Sequence, residues 1–149
     1  SEMCIRDRIR DPLNVIPSGL SLVTGVLDSM FGFWSFPEEK KQHYIKRLYH
    51  ALVELQIRFH DDWVNDRIDH SKVMIVRFDK MMDNFDGLMS EIIQFLNCDP
   101  SEELLNTINQ TSESQRKFKS KHHYDLEKFG LSSEQIRSDC SKIYETFLT

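Results

Sequence analysis

The sequence predicts an α/β fold, of which this chain is a mostly helical part with one clear strand. Through most of the 149 residues, apolar side chains recur at spacings of three and four, which is typical of amphipathic helices. Only the run 72–78 (KVMIVRF) is short, apolar and β-branched, as a buried parallel strand is. A lone strand cannot satisfy its own backbone groups. We therefore expect the chain to be a truncated part of a larger sheet-containing domain.

The amino-terminal half predicts two long helices. Asp11 followed by Pro12 is typical of an N-cap and a first helical residue, and Pro17 is expected to bend the apolar run that follows. Ser35 and Glu38 have the spacing of a capping box at the start of a second helix. That helix carries one apolar stripe, expected to face the core: Ile45, Leu48, Leu52, Leu55 and Phe59.

Three further helices are predicted after the strand. One covers roughly 85–96, and the next begins at Asp99-Pro100, with Glu102 three residues after the cap. The last helix starts with a capping box formed by Ser132 and Gln135. Its buried side is predicted from the spacing of four residues: Ile136, Cys140, Ile143 and Phe147.

Composition restricts the classes of function. The net charge of −5 disfavours a nucleic-acid-binding protein, and no unbroken apolar run of about 18 residues predicts a membrane span. The composition fits one soluble domain or part of one. The three cysteines lack the spacing of a metal site or a disulfide framework, which indicates isolated thiols in a reducing compartment. The four histidines between 43 and 70 lack a ligand pattern, so no metal is expected.

The first eight residues (SEMCIRDR) are interpreted as an artefact. Their codons are compatible with a transposon-end adaptor used in sequencing libraries, read through as protein. The alternative is a natural amphipathic start. On the adaptor interpretation, residues 9–149 are the carboxy-terminal part of a single domain.

The segment 10–18 (RDPLNVIPS) carries the first candidate ligand-binding residues. It resembles the 3′-phosphate-binding motif of sulfotransferases that use 3′-phosphoadenosine 5′-phosphosulfate (PAPS), in which an arginine at a strand end precedes a serine by eight residues. Arg10 and Ser18 match that spacing. A guanidinium fork and a hydroxyl are suitable donors to phosphate oxygens. The alternative is an ordinary helix start with a solvated Arg10.

A second segment, 73–81, lies where the sulfotransferase family has a strand that ends in Tyr-Glu-Asp-Leu. Here Phe78 replaces the tyrosine and Asp79 the glutamate, and Phe95-Leu96 matches the end of the following helix. The resemblance implies that the Phe78 ring packs on or near adenine, without the phenol's hydrogen bond. A core aromatic at a strand end is the alternative.

The third segment, 118–131, is similar to a Ser-x-His-x-Tyr-x-Leu-x-x-Phe-Gly-Leu tail in a sulfotransferase branch common among bacteria. Its matching residues are Ser120, His122, Tyr124, Leu126, Phe129, Gly130 and Leu131. A basic patch inside an acidic chain favours an anionic ligand. We expect Lys119, Ser120, Lys121 or His122 to close over the nucleotide's 3′-phosphate. The alternative is a solvated loop whose matching residues only dock the last helix.

The resemblance implies a P-loop kinase-like three-layer fold and transfer of a sulfuryl group from PAPS to a hydroxyl or amine. The acceptor, whether carbohydrate, lipid or small molecule, is not identified. No metal is implied, and the bacterial tail favours the cytoplasm. The family's catalytic residues lie upstream of the matched segments, so this chain alone is predicted to be inactive. Two alternatives stay open: a non-catalytic helical interaction module and a nucleotide-dependent phosphotransferase.

Overall fold

A computed structural model describes residues 5–117 and 125–149. The described chain is mostly helical, with a small parallel sheet of two strands and two 3₁₀ turns, Phe33–Ser35 and Glu127–Phe129. The strands are β1 (Ile5–Ile9) and β2 (Val73–Arg77). The helices are α1 (Pro12–Phe31), α2 (Glu38–Val64), α3 (Phe78–Asp83), α4 (Phe85–Phe95), α5 (Glu102–Lys117), α6 (Ser133–Asp139) and α7 (Ser141–Phe147).

The chain divides into two compact units, which are described separately. The described residues of the first unit are 5–10 and 66–117, and they include the sheet together with α3, α4 and α5. Those of the second unit are 11–65 and 125–149, and they include α1, α2, α6 and α7.

The sheet of the first unit contains a strand that the sequence did not predict. β1 pairs with β2 in parallel, with a register that runs from Ile5 opposite Val73 to Ile9 opposite Arg77. The expectation of a single strand was therefore wrong, whereas the predicted run 72–78 contains β2. β1 reads IRDRI, a charged stretch whose strand character depends on pairing with an apolar neighbour. The combination of helices with a parallel sheet agrees with the general α/β class that the sequence predicted.

The core of the first unit lies where α4 covers the sheet. Val76 on β2 packs with Leu88 and Ile92 on α4, and all three are buried. Leu88 and Ile92 lie one helical turn apart, so one side of α4 faces the sheet. The start of α5 differs from the prediction, because the Leu104 amide donates to Ser101 Oγ at 3.2 Å. Ser101, rather than Asp99, supplies the capping oxygen.

Helix α1 begins in the second unit as the sequence predicts. The Asp11 carboxylate accepts a hydrogen bond from the Leu13 amide at 2.8 Å, which satisfies one of the free amides of the first turn. The helix continues without interruption through Pro17 and ends at Gly32, whose φ of 64° is the left-handed conformation that glycine favours. Ile16 and Leu20 are its fully buried side chains in the core.

Helix α2 departs from the prediction at its start and along its apolar stripe. Pro37 precedes the helix and no side chain caps it, because the Ser35 hydroxyl donates instead to the Gly32 carbonyl at 2.7 Å. The capping box was therefore wrong. Ile45 is buried as predicted, but Leu55 is 67% exposed.

The carboxy-terminal region forms two short helices where the sequence predicted one. Ser132 caps α6, since its hydroxyl accepts from the Gln135 amide at 3.1 Å, which confirms that part of the prediction. Cys140 separates α6 from α7 with φ −107° and ψ 19°, outside the helical range. All four predicted core residues are nevertheless buried: Ile136, Cys140, Ile143 and Phe147.

Two tyrosine hydroxyls attach these short helices to the long ones. Tyr49 on α2 donates to Asp139 at 2.6 Å, and Tyr144 on α7 donates to Asp11, the cap of α1, at 2.5 Å. Burial and the acceptor carboxylate raise the pKa of each phenol above its usual value. Both hydroxyls therefore stay protonated and donate at neutral pH.

By length and composition, α1 is also apolar enough to cross a membrane, although the sequence contains no unbroken apolar run of that length. The core helix of a globular unit meets the same criterion, and α1 buries Ile16 and Leu20.

Candidate functional site

The carboxyl ends of the two parallel strands bring together two of the predicted ligand-binding residues. Arg10 directly follows β1, and Phe78 directly follows β2 as the first residue of α3. Because Ile9 lies opposite Arg77, residues 10 and 78 emerge side by side. The Arg10 guanidinium carbon lies 4.4 Å from the centroid of the Phe78 ring. Ligands of open α/β sheets bind at this edge.

The side chain of Arg10 has a hydrogen-bond donor that the protein does not use. Its Nε atom is buried, yet within the described part of the chain no acceptor lies within hydrogen-bonding distance. Leaving such a donor without a partner costs about 1–3 kcal/mol, and more when the group is charged. Buried donors in native proteins nearly always have a partner. The Arg10 guanidinium thus has a buried donor without an acceptor among the described residues, as expected of a group that binds an anionic ligand.

The contact with Phe78 fixes the guanidinium without consuming its donors. A cation over an aromatic ring is attracted by the charge distribution of the ring and needs no oxygen or nitrogen acceptor there. A cation–π contact of this kind contributes about 0.5–2 kcal/mol. The ring can therefore hold the cation in position while its edge remains available to an anion.

Asp79, the acidic residue directly after Phe78, is paired with another arginine. Arg77 donates to Asp79 through Nε at 3.1 Å and through Nη2 at 2.6 Å, the paired geometry of a guanidinium fork on a carboxylate. These hydrogen bonds hold the pKa of Asp79 below its usual value. Both carboxylate oxygens of Asp79 accept hydrogen bonds from Arg77.

Ser18, the partner predicted for Arg10, lies on α1 in the second unit. Its side chain is half-buried on the second turn of the helix, near the buried Ile16 and Pro17 in sequence. Arg10 belongs to the first unit.

The predicted basic residues of the third segment lie outside the described residues: Lys119, Ser120, Lys121 and His122. The end of that segment is described. Phe129 is buried with its ring 6.3 Å from that of Trp34, and Gly130 turns the chain with a φ of 66° just before Ser132 caps α6. These matching residues anchor the carboxy-terminal helices, which is the structural role that the sequence left open.

A second polar cluster connects α7 to α2 in a way that the sequence did not predict. The ring of His60 is buried between two partners: Nδ1 lies 2.9 Å from Asp61 Oδ1, and Nε2 lies 3.1 Å from Thr146 Oγ1. Lys142 lies 3.3 Å from the same Asp61 oxygen. The hydrogen bond from His60, followed by that from Lys142, lowers the pKa of Asp61. Asp61 is therefore part of a contact between α2 and α7.

Neither cluster suggests a metal. Within residues 5–117 and 125–149, no three His, Cys, Asp or Glu side chains come close enough to hold an ion. The nitrogen atoms of the Arg10 guanidinium are hydrogen-bond donors only, which suits an anion.

The chain was compared with protein-family models, with curated proteins and with solved structures, and none of the three comparisons finds a match. The candidate site therefore has to be interpreted from its own chemistry.

Proposed function

We propose that this chain is the carboxy-terminal part of a PAPS-dependent sulfotransferase and that it binds the 3′-phosphate of the nucleotide. The observation that carries the proposal is the buried Nε of Arg10, which lacks an acceptor among the described residues. Arg10 lies at the end of a parallel strand, where the sulfotransferase motif has its arginine.

A nucleotide phosphate suits this arginine for two reasons. A phosphate monoester offers several acceptor oxygens and about two negative charges, and a guanidinium fork can donate to two of those oxygens at once. The Phe78 ring under the guanidinium is at the same time an apolar surface beside which adenine can pack. One pair of residues thus offers a contact to each part of an adenosine phosphate.

The remaining ligand contacts are assigned by the resemblance. Ser18 adds a neutral hydroxyl donor to the same phosphate, and Lys119, Ser120, Lys121 and His122 supply further positive charge and donors. In this proposal the parent fold is the P-loop kinase-like α/β fold of the family, and β2 belongs to its sheet.

The chemistry belongs to the complete enzyme. A base removes the proton of the acceptor hydroxyl or amine, the acceptor attacks the sulfur in line, and the leaving adenosine bisphosphate carries the displaced negative charge. Our proposal gives this chain the binding of the leaving nucleotide and no step of the transfer. The isolated chain is expected to show no turnover in a sulfation assay with PAPS.

Isothermal titration calorimetry with adenosine 3′,5′-bisphosphate and with ADP tests the proposal. We expect tighter binding of the bisphosphate, because only that ligand carries the 3′-phosphate. Arg10→Gln should weaken bisphosphate binding by about tenfold to a hundredfold, the effect of a hydrogen bond to a charged group. Arg10→Lys keeps the charge but loses the fork, so it should give an intermediate loss.

The matched control is Arg58→Gln, which removes the same charge from an exposed position in the second unit. Bisphosphate binding by this variant should equal that of the wild type. Equal affinity for ADP and the bisphosphate would favour the phosphotransferase instead. Unchanged binding by Arg10→Gln would remove Arg10 from the site.

One observation supports the non-catalytic interaction module as a second candidate. The carboxy-terminal half of α1 exposes large apolar side chains, among them Leu22 (70%), Met30 (66%) and Phe31 (60%). An exposed apolar surface of this kind is typical of a protein contact. Sedimentation at increasing concentration tests it, and loss of any association in a Leu22→Gln/Met30→Gln variant is the expected result.

A further inference from the structure

A cleft in the second unit, separate from Arg10 and from the proposed function, has the chemistry of a binding site. Its volume is about 180 Å³, and it lies between α2 and the turn that leads into α6. The residues on the α2 side are Gln42, Ile45, Lys46, Tyr49 and His50, and those on the other side are Phe129, Gly130, Leu131 and Gln135.

The floor of the cleft is apolar. Ile45, Tyr49 and Phe129 are each buried to within a few per cent. The Tyr49 hydroxyl is not available to a ligand, because it donates to Asp139 at 2.6 Å. Tyr49 borders the cleft together with Ile45 and Phe129, and these three residues give its floor a small apolar surface.

The rim of the cleft carries the Lys46 cation and the ring of His50, although the net charge of the chain is −5. Lys46 and His50 lie one turn apart on α2 and are exposed, and no carboxylate is among the lining residues. Within the described part of the chain neither of them forms an ion pair. Glu38, which lies earlier on α2, is engaged by Lys41 at 2.7 Å and by the Gln42 amide at 2.8 Å. The local charge of the cleft is therefore opposite to that of the whole chain, and local charge decides which ion is bound.

The size of the cleft limits what fits. A cavity of about 150 Å³ holds one benzene ring, whereas pockets for drug-sized ligands measure about 300–1,000 Å³. At about 180 Å³, the cleft has space for one ring and a small substituent. The Gln135 amide is at hand to orient a polar substituent, whereas the Gln42 amide already donates to Glu38.

We infer that this cleft binds a small organic anion made of a single ring and one acidic group. The ring lies on Ile45, Phe129 and Tyr49, and the acidic group lies at the rim between Lys46 and His50. This ligand is distinct from the adenosine bisphosphate of the proposed function, which is expected at Arg10 in the other unit.

The test is a titration of the full ¹⁵N-labelled chain with benzoate, followed by NMR. We expect saturable shifts of the Gly130, Leu131 and Gln135 amides. Benzamide has the same ring and shape but no charge. It should bind about fivefold more weakly, because it lacks an ion pair at the rim and exposed ion pairs contribute little binding energy. The double variant Lys46→Gln/His50→Gln should weaken benzoate binding by a similar factor and leave benzamide binding unchanged.

Lys40→Gln is the control, because Lys40 lies on the same helix over the ring of Phe36 and does not line the cleft. Its benzoate affinity should match that of the wild type. Both positions of the double variant are exposed, and a preserved amide spectrum verifies the fold. The inference is overturned if benzoate shifts amides elsewhere only, if benzamide binds equally well, or if Lys40→Gln weakens binding as much as the double variant does. Adenosine bisphosphate binding does not enter this experiment, so either proposal can fail alone.

Discussion

Replacing Tyr49 by phenylalanine isolates the contribution of one hydrogen bond to stability. The Tyr49 side chain is 2% exposed, and its hydroxyl donates to Asp139 at 2.6 Å. The variant keeps the ring and its packing and removes only the hydroxyl. Asp139 is exposed at the end of α6, so water can replace the lost donor.

The magnitude follows from this geometry. A hydrogen bond to a charged group contributes about 1.5–3 kcal/mol, and rehydration of the released carboxylate favours the lower end of that range. We expect the free energy of unfolding to fall by about 1.5 kcal/mol. In a chain of this length the melting temperature should decrease by about 3–6 °C.

Urea denaturation followed by circular dichroism measures the change. The denaturation midpoint should fall while the slope stays constant, because the surface exposed on unfolding is the same. The control is Tyr44→Phe on the same helix, where the side chain is 47% exposed and contacts Phe33 edge-on. A surface change of this kind should stay within about 0.5 kcal/mol. Equal stabilities for the two variants would refute the role given to the Tyr49 hydroxyl.

Three further predictions concern the second unit. The pKa of Tyr144 is raised in the folded protein, so the hydrogen bond of its hydroxyl stabilises the fold fully below pH 10 and less at higher pH. The urea midpoints at pH 9 and pH 11 should therefore differ less in Tyr144→Phe than in the wild type. Ile136→Ala, at a fully buried position, should cost about 2–5 kcal/mol in urea denaturation, whereas Leu22→Ala at an exposed position should cost less than about 0.5 kcal/mol. Burial raises the pKa of the Cys140 thiol to about 11, so a maleimide at pH 7 should modify the exposed Cys98 first, as peptide mass spectrometry would show; faster labelling of Cys140 would contradict its burial.

Local sequence signals predicted helices and core positions well where no distant partner was needed. Asp11 and Ser132 cap the helices that their sequences indicate, since the capping oxygen and its amide lie within three residues of each other. Ser35 has the same local pattern and fails, because the 3₁₀ turn around it gives its hydroxyl a closer acceptor at Gly32. A local pattern is thus reliable only when no competing backbone group is nearby.

Features that depend on distant contacts were missed. β1 has little strand character by itself and becomes a strand by pairing with β2, which lies more than 60 residues later in the chain. For the same reason, the contact of Arg10 with Phe78 was not predicted, although both residues were candidates. Leu55 was assigned to the core because its spacing fits the stripe, but its side chain stays exposed among the residues that the structure describes.

The pairing of β1 with β2 has a consequence for the behaviour of the chain in solution. In the described part of the chain each of these strands has one hydrogen-bonded neighbour, so the outer backbone groups of both are open to a further strand. A strand from another molecule can add there as readily as one from the same fold, and the five-residue strands are long enough to start such growth. Protein concentration and the availability of a natural partner strand therefore decide whether this edge extends an ordered sheet or initiates aggregation.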